Sequence, residues 1–295
     1  MTGGGAVSLL AVLPACREPV AADGLIAALR DLESNAGGRL GVALLGADAD
    51  SAIGHRQDER FGMCSTFKLP LAAVVLREVD AGRLQLDQPV TYSADDMVPY
   101  APVTETFLER GYMSVEELAK AAQTTSDNVA ANLLLRLIDG PAGFTRRLRE
   151  IGDSVTRLDR FEPEMNLVPA GEIRDTTTPA AMARTVRSVI AGNVLSPESR
   201  QRLIDWTVAT RTGLTRLRAG FPEEWQAGDK TGTGIAAGMA NKYNDVAIAW
   251  PETDAPPFVL AGYYEADRHY DEMRDQDVAV LARVGELAAA YAALA

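Results

Sequence analysis

Apolar residues recur at helical spacing over residues 23–34 (DGLIAALRDLES), and the Asp that opens the segment is placed to cap a helix. Residues 39–45 (RLGVALL) form a short apolar run and read as a buried strand. Residues 47–50 read as a turn, and residues 52–56 as a strand pairing back in a hairpin. From residue 61 to about 209 the pattern is mostly helical. Residues 115–121, 128–137 and 179–190 show three-to-four spacing, separated by loops rich in Pro, Gly and Asp. After Trp225 the character changes. Residues 226–233, 245–250 and 258–264 are strand-like, and residues 271–294 form a long amphipathic helix.

A helix and strands at the start, helices in the middle, then strands and a helix imply a discontinuous α/β fold. The two ends are expected to build a five-stranded antiparallel sheet flanked by the terminal helices, from residues 21–57 and 209–295. Residues 58–208 are expected to form an inserted all-α domain. A cleft between the two is a natural place for a small-molecule site. No internal repeat is visible.

Composition narrows the function. The 295 residues are 47% hydrophobic and 24% charged, which excludes wholesale disorder. With 41 acidic against 29 basic residues the net charge is -12. An acidic chain with no basic block repels phosphate backbones, so nucleic acid is not an expected partner. Two Cys and two His (Cys16, Cys64, His55, His269) leave too few soft ligands for a zinc centre, and no metal or cofactor is expected. No apolar run approaches the roughly 18–20 residues of a membrane span. Residues 6–15 (AVSLLAVLPA) are similar to the apolar region of an export signal, although no Lys or Arg precedes them. Residues 13–16 (LPAC) also resemble a lipoprotein cleavage box. Residues 1–20 are therefore read as a leader, with a periplasmic or secreted destination and Cys16 as a candidate lipid anchor.

Three short motifs carry chemistry. Ser65-Thr66-Phe67-Lys68 opens the first apolar helix of the middle segment. Ser and Lys three apart share a helix face, and an amine that sheds its proton can activate a hydroxyl. Ser126-Asp127-Asn128 sits between two helices, where the plain alternative is an N-cap. Lys230-Thr231-Gly232-Thr233 lies on the first late strand. There the plain alternative is an edge protected against pairing. The three in this order are far more specific than any one.

Together they resemble the motif set of class A serine β-lactamases and penicillin-binding proteins. The resemblance extends to Arg160-Phe161-Glu162-Pro163-Glu164-Met165-Asn166, to Asp175-Thr176-Thr177-Thr178-Pro179, and to Thr212-Gly213 with Arg216-Leu217-Arg218-Ala219-Gly220. It runs from about Asp23 to the C-terminus and implies a β-lactamase/transpeptidase-like fold acting, as a monomer, on small-molecule β-lactams. It implies that Ser65 is the acylated nucleophile and that Lys68 takes part in activating it. It leaves open whether Lys68 or Glu162 is the acylation base. Ser126 would relay a proton to the leaving nitrogen, and Asn128 would hold the substrate's side-chain amide. Glu162 would activate the deacylating water, positioned by Asn166, with Arg160 and Asp175 bracketing the loop. Lys230 would supply positive potential. Thr231, Thr233 and Arg216 would serve the substrate carboxylate, and Tyr100 resembles the aromatic at the cleft mouth. The backbone N–H groups of Ser65 and Thr233 would form the oxyanion hole. Penicillin-binding proteins lack the Glu162 loop, which places the chain with the turnover enzymes. A D,D-peptidase is the runner-up, and a non-catalytic β-lactam sensor ranks last.

Two features depart from the family pattern. Ten residues, 235–244, separate Gly234 from Asp245, about four more than expected, so a longer hairpin is expected beside the cleft. Its Met239, Lys242 and Tyr243 have no role implied by the resemblance. Gly234 stands where some carbapenem-hydrolysing members carry a Cys that partners the one before the nucleophile. Cys64 is therefore read as a small buried hydrophobe, with a reactive thiol as the secondary reading. His55 and His269 fall in no motif and read as ordinary strand-end or loop residues.

Overall fold

The computed structural model describes residues 18–46, 49, 51–252 and 256–292. In chain order its elements are α1 (Glu18–Ala36), β1 (Arg39–Leu45), β2 (Ile53–His55), β3 (Phe61–Gly62), α2 (Lys68–Asp80), β4 (Pro89–Thr91), β5 (Tyr112–Ser114), α3 (Val115–Thr124), α4 (Asn128–Leu137), α5 (Gly140–Glu150), β6 (Thr176–Thr177), α6 (Pro179–Ile190), α7 (Pro197–Val208), β7 (Gln226–Gly234), β8 (Lys242–Trp250), β9 (Phe258–Glu265) and α8 (Asp275–Ala292). A five-stranded antiparallel sheet runs in the order β2-β1-β9-β8-β7.

Alternation along the strands divides the core. Leu40, Val42, Leu44, Ala247, Leu260 and Tyr264 face one side, packed with Leu25 and Leu29 of α1 and Leu281 and Val284 of α8. Ala43, Leu45, Val246, Ile248, Val259 and Tyr263 face the other, continuous with α2, α4 and α6. Both faces are covered, which is why β1, β9 and the second half of β8 read as apolar runs. α2 is apolar all round and buried from Lys68 to Leu76, as a central helix should be.

Several boundaries differ from the sequence reading. α1 begins at Glu18, so Asp23 lies inside it rather than at its cap, and α8 begins at Asp275. Residues 1–17, Cys16 among them, and most of the 47–50 turn lie outside the described residues. The helical segment also holds two small ladders, β3 with β6 and β4 with β5. The chief correction concerns the hairpin. β8 starts at Lys242, and Lys242, Tyr243 and Asn244 pair with Gly234, Thr233 and Gly232, so the connection is residues 235–241. Polar letters concealed those strand residues. Their side chains are buried and bonded: Lys242 Nζ donates to Glu265 Oε1 at 2.6 Å, Tyr243 Oη accepts from Arg274 N at 3.1 Å, and Asn244 Nδ2 donates to Gly62 O at 2.8 Å while its Oδ1 has no protein partner.

Candidate active site

Ser65 lies in a 3-10 turn, Cys64–Phe67, that leads directly into α2, whose first residue is Lys68. Its Oγ accepts from Lys68 Nζ at 2.9 Å and donates to Glu162 Oε1 at 3.2 Å. Lys68 is fully buried. Its Nζ also donates to Ser126 O (2.8 Å) and Asn128 Oδ1 (2.5 Å) and pairs with Glu162 Oε1 at 3.0 Å. Burial pushes its amine below the ordinary value, against the pull of Glu162.

The Ser126-Asp127-Asn128 motif is both cap and site. Asp127 caps α4 by accepting from Ala130 N at 2.8 Å and takes three further donors from Val103 and Thr104. It thereby holds the loop carrying Tyr100, which is exposed and whose carbonyl accepts from Asn128 N. Ser126, at φ 62°, turns its Oγ to within 3.0 Å of Lys230 Nζ and 3.4 Å of Lys68 Nζ. Asn128 Nδ2 donates to Pro99 O at 2.8 Å.

Lys230, Thr231 and Thr233 lie on β7, an edge strand. Burial and the neighbouring Lys68 push the Lys230 amine down to about 7. Thr231 Oγ1 bonds Thr212 Oγ1 at 2.9 Å. Arg216 is buried, its Nη1 donating to Gly232 O (2.9 Å) and Asn244 O (2.7 Å) and its Nη2 to Thr233 Oγ1 (2.6 Å). Because a guanidinium only donates, Thr233 Oγ1 must accept, which leaves its own proton for another acceptor. A Cβ on Gly232 would meet Met63 O at 2.7 Å and Ser65 N at 3.1 Å, so β7 comes this close to Ser65 only through glycine.

The loop before α6 supplies Glu162. Arg160 Nε meets Asp175 Oδ2 at 2.5 Å, Asp175 Oδ1 accepts from the Asp159 and Arg160 amides, and Arg160 Nη2 reaches Leu167 O. Burial outweighs the Arg160 cation and raises the Asp175 carboxyl above its ordinary value. Asn166 Nδ2 donates to Glu162 Oε2 at 2.5 Å, while Asn166 Oδ1 is buried with no protein partner.

The site thus unites Ser65, Lys68, Ser126, Asn128, Glu162, Asn166 and Lys230 by direct hydrogen bonds, with Thr231, Thr233 and Arg216 along β7. Sequence reasoning missed Asn132, whose Oδ1 accepts from Glu162 N and whose Nδ2 donates to Glu162 O, both at 2.9 Å. Its signal was its place four residues after Asn128, on the same helix face. Thr212 and Asn244 were also missed. Cys64 is fully buried and its thiol is pushed up to about 12 by burial, so it behaves as a small hydrophobe. A Cβ at Gly234 would lie 2.9 Å from its Sγ. His55 bonds Glu33 at 2.9 Å and His269 bonds Asp271 at 3.2 Å, neither within the site.

Known proteins are similar to this chain over most of its length. The family model described as the β-lactamase enzyme family matches residues 24–292. β-Lactamase FAR-1 of Nocardia farcinica is 50% identical over 78% of this chain and 72% of that protein. β-Lactamase L2 of Stenotrophomonas maltophilia is 45% identical over 87% of this chain and 82% of its own. A solved class A β-lactamase representing the last common ancestor of Gram-negative bacteria is 50% identical, covering 92% of this chain and 100% of that one, with a TM-score of 0.85. The chain belongs to the class A serine β-lactamases, enzymes that hydrolyse β-lactams.

Proposed function

We propose that Ser65 is the nucleophile and Glu162 the deacylating base, with the remaining site residues in the roles that follow. Ser65 Oγ attacks the lactam carbonyl carbon as its proton leaves towards Lys68 or Glu162, both within reach. The amide N–H groups of Ser65 and Thr233 receive the oxyanion. The ring C–N bond then breaks, and the nitrogen takes a proton from Ser126, which is resupplied from the Lys68 and Lys230 side. In the second step Glu162 takes a proton from water as the water oxygen attacks the ester carbonyl, and Ser65 leaves and recovers its proton. Asn166 orients that water. Asn128 and Tyr100 contact the substrate's acyl side chain. Lys230, Thr231 and Thr233 receive its carboxylate, with Arg216 behind Thr233.

What supports this reading most is one observation: Glu162 lies within 3.2 Å of Ser65 Oγ while Asn166 grips its other oxygen. A protein that only acylates needs no such carboxylate. General-base help of this kind contributes about 10²–10⁴-fold. Intact-protein mass spectrometry after mixing with benzylpenicillin should therefore show a persistent one-drug adduct on Glu162→Ala, none on Ser65→Ala and a transient one on wild type. Wild type holding the adduct for hours would favour a penicillin-binding protein.

We also propose that the chain works as a monomer, divides near residues 57/58 and 208/209, and is exported with residues 1–20 as leader. Among the described residues no helix is long and apolar enough to cross a membrane. Mass spectrometry of the native-host protein should find a mature terminus between residues 16 and 22. An intact Met1 in the cytosol would refute export.

A further inference from the structure

The turn that joins β7 to β8, residues 235–241, takes no part in the scheme above. Its last residue, Asn241, is fully buried and densely bonded. Its side chain donates to Tyr270 O at 2.9 Å and Glu272 O at 3.3 Å and accepts from Tyr270 N at 3.1 Å. Its own amide donates to Arg268 O and its carbonyl accepts from Ala266 N. One residue thus ties the turn to the segment between β9 and α8. The far end of that segment is tied as well. Arg274 N donates to Tyr243 Oη, and the Arg274 guanidinium clasps Asp277 while lying 3.4 Å over the Tyr270 ring.

Between those anchors stands Met273. It is 54% exposed, and its Sδ takes Arg216 Nη2 at 3.9 Å. The other bonds of the two Arg216 amino groups go to oxygen at 2.6–2.9 Å. A thioether is a weak acceptor, so this is the contact that a carboxylate can replace at least cost. With this contact in place Arg216 is buried.

We propose that Asn241 and Met273 form a specificity element for the anionic end of the β-lactam, Asn241 pinning the segment so that Met273 covers Arg216 and yields to the substrate carboxylate. The inference rests on the carboxylate roles given above to Thr233 and Arg216. Asn241 acts through other residues and is a positioning residue.

The test compares benzylpenicillin with its methyl ester, which lacks the anion. In Asn241→Ala the KM for benzylpenicillin rises about tenfold with kcat within about twofold, while kcat/KM for the ester stays within about twofold. Added to Arg216→Ala, the same substitution changes benzylpenicillin kcat/KM by less than about twofold. Should Asn241→Ala fail to fold, Met273→Ala removes an exposed side chain and should show the same acid-against-ester asymmetry at about threefold. Equal losses on acid and ester, or an undiminished effect in the Arg216→Ala background, would overturn the proposal. If Arg216→Ala itself spares the acid, the carboxylate reading falls and takes the proposal with it. If Arg216→Ala selectively harms the acid but Met273→Ala and Asn241→Ala do not, only the proposal falls.

Discussion

Two fully buried lysines stand on either side of the Ser126 hydroxyl, Lys68 Nζ at 3.4 Å and Lys230 Nζ at 3.0 Å. Burial disfavours both charges and Lys68 further disfavours that of Lys230, whose amine falls from the ordinary 10.5 to about 7. If its charge attracts the anionic substrate, as proposed, kcat/KM for benzylpenicillin should decline as pH rises through about 7. Lys230→Arg, with a guanidinium that stays charged, should move that alkaline limb up by at least about one pH unit. Stability runs the other way. Between about 7 and 10.5 the unfolded chain holds the proton more than the fold does, so this group makes stability rise with pH across that window. A pH–rate profile of both proteins, with urea unfolding at both ends of the window, checks the pair of trends. An alkaline limb unmoved in Lys230→Arg would assign it to another group.

Among the elements, α4 does most to place the site. Its capping Asp127 gathers the loop that carries Tyr100, its first residue Asn128 accepts from Lys68, and one turn later Asn132 holds Glu162 by both backbone groups. Asn132→Ala leaves a buried N–H and C=O unpaired. The expected loss is about 1–3 kcal/mol in urea unfolding. Because the lost bonds fix Glu162, deacylation should slow by a larger factor than acylation in single-turnover measurements. Equal slowing of both steps would mean that Asn132 serves the fold alone. Periodicity located this helix well, since its apolar positions recur at the spacing its packing needs. It could not assign Asn132, because a polar residue on a helix face points to nothing until the loop across from it is in place.

At the scale of the molecule, the site is a seam between an edge strand and a helical layer. Lys230 reaches across to Ser126, Gln123 Nε2 of α3 donates to Asp229 O of β7 at 3.0 Å, and Asn244 of β8 donates to the Gly62 and Met63 carbonyls ahead of Ser65. An exposed edge strand invites pairing with another chain. Here part of the β7 edge is satisfied by side chains of the helical layer, and Lys230 turns inward instead of guarding the edge from outside. Beneath it, Asp229 and Asp245 are buried together and both carboxyls are raised, by burial for Asp229 and by burial and the Asp229 charge for Asp245. Asp245 Oδ2 accepts from Leu217 N and Asp229 Oδ1 accepts from Arg218, anchoring the segment that follows Arg216 to the sheet.

The sequence alone determined the family and which residues are the candidates for its chemistry. Ser65, Lys68, Ser126, Lys230 and Glu162, which the fold bonds together, are legible as candidates because they stand in short motifs whose order is rare by chance. It also determined the main strands and helices, because covered faces demand apolar residues at fixed spacing. The tertiary structure decided the rest. It began β8 at Lys242, where buried polar side chains look like loop until Glu265, Arg274 and Gly62 supply their partners. It set Arg216 behind Thr233 as a donor instead of open to solvent, and it joined Asn241 to a segment about thirty residues away. Hydrogen bonds between groups distant in sequence leave no periodic trace, so only the folded chain specifies them.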